Sequence, residues 1–199
     1  MQPTQWRYFL GFIPDDRLRD RILMLAEAMG IAAGAVIGNI HLTICTIAET
    51  DQQDGMIADR LDGLFSGADL AACRILLGKA RSSSRGAAIG SVGSQHDITI
   101  FFQTLRKLLA ELGIEPLYRK SGLHAHVTLS YQSGPSRLLK VPFEWVPAEL
   151  CLVESWDGFS KHVVLRRWPL LPPAQGELDW GEPAGNFTNR LRQESLRAA

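Results

Sequence analysis

The apolar and polar positions at the start of the chain predict a strand followed by a helix. Residues 6–13 alternate and carry bulky side chains, which is typical of a β-strand. The segment Pro14-Asp15-Asp16 then supplies turn and helix-capping residues. Apolar positions follow at helical spacing, namely Leu18, Ile22, Leu25 and Met29. We therefore expect a strand at 6–13 and a helix that ends near Gly30.

The middle of the chain predicts a further strand, a helix and a hairpin. A strand passes through His41, and a helix is expected from about Asp51 to Phe65. Residues 70–80 and 87–92 have the apolar content of two strands, joined by the segment 81–86. That segment contains Arg, Ser and Gly, so the hairpin is expected to have a basic tip.

The second half predicts another helix and three strands. Ser94 and Asp97 resemble a helix capping box, and a wide apolar stripe follows them. A strand is expected around His126, and two long strands at 143–154 and 159–170. Helices and strands without regular βαβ alternation predict an α+β fold with mostly antiparallel sheets.

Length and composition bound the kind of protein. The chain has 199 residues, of which 46% are hydrophobic, so 1–170 can form one domain or two packed lobes. Pro, Gly and polar residues mark 171–199 as a tail. No apolar run has the length of a membrane span, and the N-terminus lacks an export signal. We expect a cytoplasmic protein without a membrane partner.

Cysteines and charge narrow the possible partners. Cys45, Cys73 and Cys151 lack CxxC spacing, which favours buried free thiols over disulfides or zinc ligands. Basic and acidic residues balance at 21 each, which argues against extended, sequence-independent binding of long nucleic acid. A short RNA end or a nucleotide remains possible.

One tetrapeptide pattern occurs twice, as His41-Leu42-Thr43-Ile44 and as His126-Val127-Thr128-Leu129. Side chains alternate along a strand, so each His shares a face with the Thr two positions later. Two such strands side by side would bring two imidazoles and two hydroxyls into one cleft. Repetition indicates an internal duplication with its site at the seam between the halves.

The chain resembles the 2H phosphoesterase superfamily, in particular the bacterial 2′-5′ RNA ligase-like group of RNA 2′,3′-cyclic phosphodiesterases. That family is defined by two His-x-Thr/Ser-x motifs, matched by the two tetrapeptides above. Other segments that are similar to the family are 7–14, 113–116 leading to Arg119, 143–155 and 167–170. The resemblance covers 6–170 and leaves the tail unexplained.

The resemblance implies a bilobal, pseudo-two-fold fold in which two mostly antiparallel sheets line a central groove and helices pack outside. It also implies an enzyme without cofactor or metal, with His41 and His126 as catalytic acid and base. Histidine titrates near neutral pH, so one ring can be neutral while the other is protonated. Thr43 and Thr128 would hold the phosphate. The two motifs are nearly symmetric, so which histidine is the base stays open.

Two positions depart from the family pattern. The family often has Pro directly before the second histidine, where this chain has Ala125. It often has an aromatic residue five positions after the first histidine, where this chain has Thr46. Neither change touches the catalytic pattern, but both are expected to alter the groove walls and hence substrate preference.

His124-Ala125-His126 also fits an HxH metal pair, since both rings would project from one strand face. A metal-dependent hydrolase needs further ligands, and neither His96 nor His162 has a suitable spacing. We therefore expect no metal site and interpret His124 as a residue at the groove edge or on the surface. His162 is assigned to the structural frame, together with Trp156 and Trp168.

Other residues fit substrate contacts less specifically. Alternation places Tyr131 on the face opposite His126, which favours core packing over base stacking. Several basic residues could attract a phosphate backbone, namely Lys79, Arg81, Arg85, Arg119 and Lys120. Of these, Arg119 matches a position where the family often has a basic residue.

The resulting hypothesis is a monomeric, metal-independent phosphodiesterase. Its substrate is the 2′,3′-cyclic phosphate end of RNA or a related small cyclic nucleotide, and the resemblance favours a 2′-phosphate product. A nucleotide-binding module without turnover and a reversible 2′-5′ RNA ligase are the alternatives.

Overall fold

A computed structural model describes residues 3–31, 37–84, 86–117, 123–132, 137–159 and 161–173. Arg85, Arg119, Lys120 and nearly all of the predicted tail lie outside these ranges. The elements are β1 (Trp6–Phe12), α1 (Asp16–Ala28), a 3₁₀ turn (Ile37–Asn39), β2 (Leu42–Thr50), α2 (Ile57–Phe65), β3 (Ile75–Ser83), β4 (Gly86–Ser91), α3 (His96–Glu111), β5 (His126–Ser130), β6 (Arg137–Trp145), β7 (Glu149–Trp156) and β8 (Lys161–Pro169).

The strands form one curled antiparallel sheet in the order β6-β3-β4-β5-β2-β1-β7-β8. We call β2, β1, β7 and β8 lobe A, and β5, β4, β3 and β6 lobe B. The lobes join where β2 and β5 pair at Leu42 and Val127. The predicted α+β class and antiparallel pairing are confirmed, and the two expected sheets are the two halves of this one sheet.

A repeated succession of elements underlies the two lobes. The units β1-α1-β2 and β4-α3-β5 are each strand, helix, strand, and each has a motif histidine at or just before the start of its second strand. This repetition agrees with the internal duplication that the repeated motif indicates and with the pseudo-two-fold arrangement that the family resemblance implies.

The main core lies on one face of the sheet. One row of paired residues crosses the lobe junction without any solvent exposure; it consists of Ala80, Ile89, Val127 and Leu42. Buried side chains of α1 and α3 belong to the same core cluster, with the Phe12 and Phe101 rings 5.3 Å apart. The opposite face has a small buried cluster in lobe A, formed by Phe9, Cys151 and Val153, and the rest of that face is available for a groove.

The α1 boundaries match the prediction, because the Asp15 carboxylate accepts a hydrogen bond from the Leu18 backbone N–H at 2.7 Å. The predicted start of α2 at Asp51 is wrong, because the helix begins six residues later, at Ile57. Residues before Ile57 form a loop held by the core, in which the Asp54 backbone N–H donates to the Tyr8 hydroxyl at 2.7 Å.

Three further predictions need correction. The capping box is not formed, because α3 begins at His96 with Gln95 at the cap, and Ser94 only accepts from the His96 N–H at 3.3 Å. The strand predicted at 143–154 is two strands, β6 and β7, separated at 146–148, where Pro147 lacks a backbone N–H. Tyr131 is 70% exposed, since β5 ends at Ser130 and that serine takes the buried position.

The hairpin between β3 and β4 is tighter than predicted. Ser83 pairs with Gly86, so the strands continue almost to the turn and Arg81 lies within β3 rather than in a loop. The expectation of buried free cysteines is confirmed for all three thiols. Within the described ranges, no helix is both long and apolar enough to cross a membrane.

Candidate active site

Both motifs lie at the junction of the two lobes. Leu42 and Val127 are opposite each other, are fully buried and point into the core. Extending this antiparallel register by one residue on each side places His41 opposite Thr128 and Thr43 opposite His126. Directly opposite residues share a face, so all four motif side chains lie on the groove face, in a diagonal arrangement of two imidazoles and two hydroxyls.

The two rings are oriented by the same local contact. The Nδ1 atom of His41 lies 2.5 Å from the Asn39 carbonyl oxygen, and the Nδ1 atom of His126 lies 2.9 Å from the His124 carbonyl oxygen. A carbonyl only accepts, so each Nδ1 carries the proton and donates it. Each Nε2 is then the ring atom left for a substrate, either as an acceptor or, on a protonated ring, as a donor.

The surroundings of the two rings differ. His41 is half-buried between two other rings, with centroids 4.8 Å from Phe9 and 4.7 Å from His162. Burial lowers the pKa of His41 below its ordinary value, and the nearby His126 lowers it further against the opposing effect of the Asn39 carbonyl. His126 is exposed. At neutral pH His41 is therefore neutral.

His162 is a groove residue that the sequence analysis assigned to the frame. It pairs with Ser155 in the β7–β8 register, and its ring meets His41 edge to face at an interplanar angle of 74°. Burial, with a smaller contribution from His41, lowers the pKa of His162 to about 4. It is thus a neutral wall of the His41 pocket. Its position against His41 depends on the pairing of four strands, β8, β7, β1 and β2, and no local sequence pattern predicts that pairing.

Of the other two predicted site residues, the structure describes His124 but not Arg119. His124 is exposed, and its backbone carbonyl, rather than its ring, serves the site by orienting His126. Arg119 lies outside the described residues. In the described parts of the chain, no group of three or more His, Cys, Asp or Glu side chains could hold a metal ion.

The two departures from the family pattern affect the groove differently. Thr46 is opposite Phe9 in the β1–β2 register and so belongs to the groove face, as expected. Ala125 is only 3% exposed and packs in the core, so the expectation that it shapes the groove wall is wrong.

No protein-family model and no curated protein sequence matches this chain. Solved structures do match its fold. Escherichia coli LigT in complex with NADP+ is 18% identical with a TM-score of 0.62, covering 86% of this chain and 99% of LigT. A protein described as a phosphoesterase is 19% identical with a TM-score of 0.64, and the match covers 85% of this chain and 99% of the phosphoesterase.

TT0787 of Thermus thermophilus is also similar, at 17% identity and a TM-score of 0.62 over 83% of this chain and 98% of TT0787. At these identities the similarity establishes the fold and no more. The chain therefore has the LigT-like fold that its resemblance to the 2H phosphoesterase superfamily predicts.

Proposed function

We propose that the protein is a phosphodiesterase that hydrolyses the 2′,3′-cyclic phosphate end of RNA, or a related cyclic nucleotide, to a 2′-phosphate without a metal ion. The observation that carries this proposal is the paired arrangement of two histidines, each oriented through Nδ1 by a backbone carbonyl and each opposite a motif threonine. Two imidazoles in unlike environments supply the base and the acid that phosphodiester hydrolysis requires.

The assignment of roles follows from the two environments. His41, whose pKa is lowered by burial, is neutral and accepts a proton from the attacking water through Nε2. Water oxygen forms the new bond to phosphorus while the bond from phosphorus to O3′ breaks. A protonated His126 donates its Nε2 proton to O3′, which leaves as a hydroxyl, and the phosphate remains on O2′.

The two threonines stabilise charge during this step. Thr43 and Thr128 lie on the groove face beside the opposite histidine, where their hydroxyls can donate to the nonbridging phosphate oxygens. Escherichia coli LigT, whose fold this chain shares, has been crystallised with 3′-AMP, ATP and phosphate, which supports a groove suited to nucleotide phosphates.

The test is chromatography of a short RNA ending in a 2′,3′-cyclic phosphate, incubated with the protein in excess EDTA. We expect conversion to the 2′-phosphate by the unaltered chain and none by the His41→Ala/His126→Ala double variant. His96→Ala is the matched control, because His96 is exposed at the start of α3 and outside the motifs. Binding of the RNA without any product would instead support a nucleotide-binding module and overturn the proposal.

A further inference from the structure

Two rows of paired residues run from the second motif across lobe B. Each row starts on β5, crosses β4 and reaches β3. The first row is His126, Gly90 and Lys79, and the second is Thr128, Ala88 and Arg81. Because directly opposite residues of antiparallel strands share a face, Lys79 and Arg81 lie on the same face as the motif side chains.

Burial confirms which way these rows face. The row between them, Val127, Ile89 and Ala80, has no solvent exposure and packs in the core. Lys79 and Arg81 are both exposed, as alternation requires for the groove side. Arg81, which the sequence analysis placed in a basic hairpin tip, therefore lies within the sheet, in the same row as the motif residue Thr128.

The middle residues of both rows are small. Gly90 has no side chain, and a Cβ built on it would meet no atom closer than the Lys79 carbonyl oxygen at 3.8 Å. Ala88 has only a methyl group. We call Lys79, Arg81, Ala88 and Gly90 the lobe B shelf. It is a surface of two small residues beside two exposed basic side chains.

The charges of the shelf are not neutralised within the described residues. Neither Lys79 nor Arg81 has an ion pair there, whereas arginines on the corresponding face of lobe A do. Arg7 pairs with Glu49, and Arg167 pairs with Glu149 at 2.9 Å. Among the described residues, the groove is therefore positive on the lobe B side, whereas these arginines of lobe A are neutralised, which favours an anion in lobe B.

The distance from the motifs to Lys79 and Arg81 suits the phosphate of the nucleotide that precedes the one bound at the motifs. Two strand spacings, about 10 Å, separate β5 from β3. Lys and Arg carry their charge on long stems that can extend over small neighbours such as Gly90 and Ala88. An RNA chain has a further phosphate at that range, whereas a cyclic mononucleotide has only the phosphate held at the motifs.

We propose that the lobe B shelf binds the phosphodiester that precedes the terminal cyclic phosphate, so that the substrate is the end of an oligoribonucleotide rather than a free cyclic mononucleotide. This inference rests on the proposed function for the motif site. Lys79 and Arg81 bind the phosphate, and Gly90 and Ala88 leave room for the chain.

The test compares two substrates and two double variants. The substrates are a cyclic mononucleotide and a trinucleotide that ends in a 2′,3′-cyclic phosphate. For Lys79→Gln/Arg81→Gln we expect kcat/KM to fall about 10-fold on the trinucleotide and to stay unchanged on the mononucleotide. The dependence of log kcat/KM on log salt should weaken by about 0.7 for each phosphate that the variant no longer neutralises.

The control variant is Arg17→Gln/Lys107→Gln, which removes the same charge from exposed positions on α1 and α3. It should leave both substrates and the salt dependence unchanged. Equal losses on both substrates, or no loss on the trinucleotide, would overturn the shelf assignment.

Fluorescence anisotropy separates this proposal from the proposed function. The probe is a labelled trinucleotide that ends in a 3′-phosphate. If the unaltered chain hydrolyses neither substrate, the catalytic proposal fails, yet weaker and less salt-dependent binding by Lys79→Gln/Arg81→Gln still supports the shelf. Unchanged binding by that variant contradicts it.

Discussion

Lobe A and lobe B share one topology but surround their motif histidines differently. In lobe A, His41 lies against the rings of Phe9 and His162. In lobe B, His126 is exposed and its neighbour on β4 is Gly90, which has no side chain. The contrast shows that two nearly identical motifs can place their histidines in different environments. The tetrapeptide supplies the chemical groups, and the residues packed around His41 bury its ring and so lower its pKa.

The largest expected effect comes from removing either histidine. Loss of one positioned general acid or base typically costs about 10²–10⁴-fold in rate, so His41→Ala and His126→Ala should both lose this much on a cyclic phosphate substrate. The measurement is steady-state hydrolysis of the RNA end. Retention of most turnover by either variant would contradict the assignment of that residue.

An activated diester sharpens the comparison of the two histidines. A p-nitrophenyl leaving group departs without protonation, so His126→Ala should recover much of its rate on a p-nitrophenyl phosphodiester. His41→Ala should not recover, because water still has to be deprotonated. Recovery of the rate by His41→Ala alone would mean that His41 is the acid and His126 the base.

The threonines test whether the phosphate is held symmetrically. Thr43→Val and Thr128→Val keep the branched shape that suits a strand and remove only the hydroxyl. We expect about a 10²-fold loss in kcat for each, comparable to the loss of one donor to a developing oxyanion. A loss confined to one of the two variants would show that the lobes bind the phosphate unequally.

The wall of the His41 pocket is tested by the pH profile. Burial is the main cause of the lowered pKa of His41, so the acidic limb of kcat/KM should lie below the ordinary histidine value of about 6.5. His162→Ala opens the pocket to water and should move that limb to higher pH. His162→Phe keeps the wall and should leave it in place. Identical limbs in all three proteins would contradict this account of the pocket.

The smallest expected effect is on stability at acidic pH. The pKa of His162 is about 4 in the folded chain and near 6.5 when unfolded. Between these values the unfolded chain binds the extra proton, so the free energy of unfolding decreases as the pH falls. These two pKa values correspond to a loss of about 2 kcal/mol between pH 7 and pH 5 for a fully buried ring. Because His162 is only partly buried, the unaltered chain should lose about 1 kcal/mol relative to His162→Phe.

Denaturant titration of both proteins at the two pH values measures this difference. A constant difference between them would mean that His162 is not buried as a neutral ring. Asp69→Asn is a suitable control, since Asp69 lies outside the groove strands and its substitution removes a titratable group elsewhere.

The elements that sequence predicted well are those with a strong local signal. Asp15 caps α1 as expected, and the duplicated motifs lie together at the lobe junction. The errors arose where tertiary contacts override local pattern. The loop before α2 is held by the buried Tyr8 hydroxyl and by Gln53, which donates to the buried Glu154 at 3.0 Å, so the helix starts late.

Arg81 and His162 show the limit of sequence reasoning most clearly. Each lies in a stretch whose own pattern gives no sign of function, and each reaches the groove through pairing with distant strands. Arg81 lies in the same row as Thr128 because both pair with Ala88 of β4. The ring of His162 contacts that of His41, although β7 and β1 separate their strands in the sheet.

The sequence by itself determined the chemical groups, because alternation along a strand fixes that each motif His and Thr share a face. It also determined the α+β class through the period of its apolar residues. Only the tertiary structure decided the environment of each histidine and the position of the two shelf cations. Desolvation and cross-strand register depend on residues far apart in the chain, and such contacts exist only once the sheet has assembled.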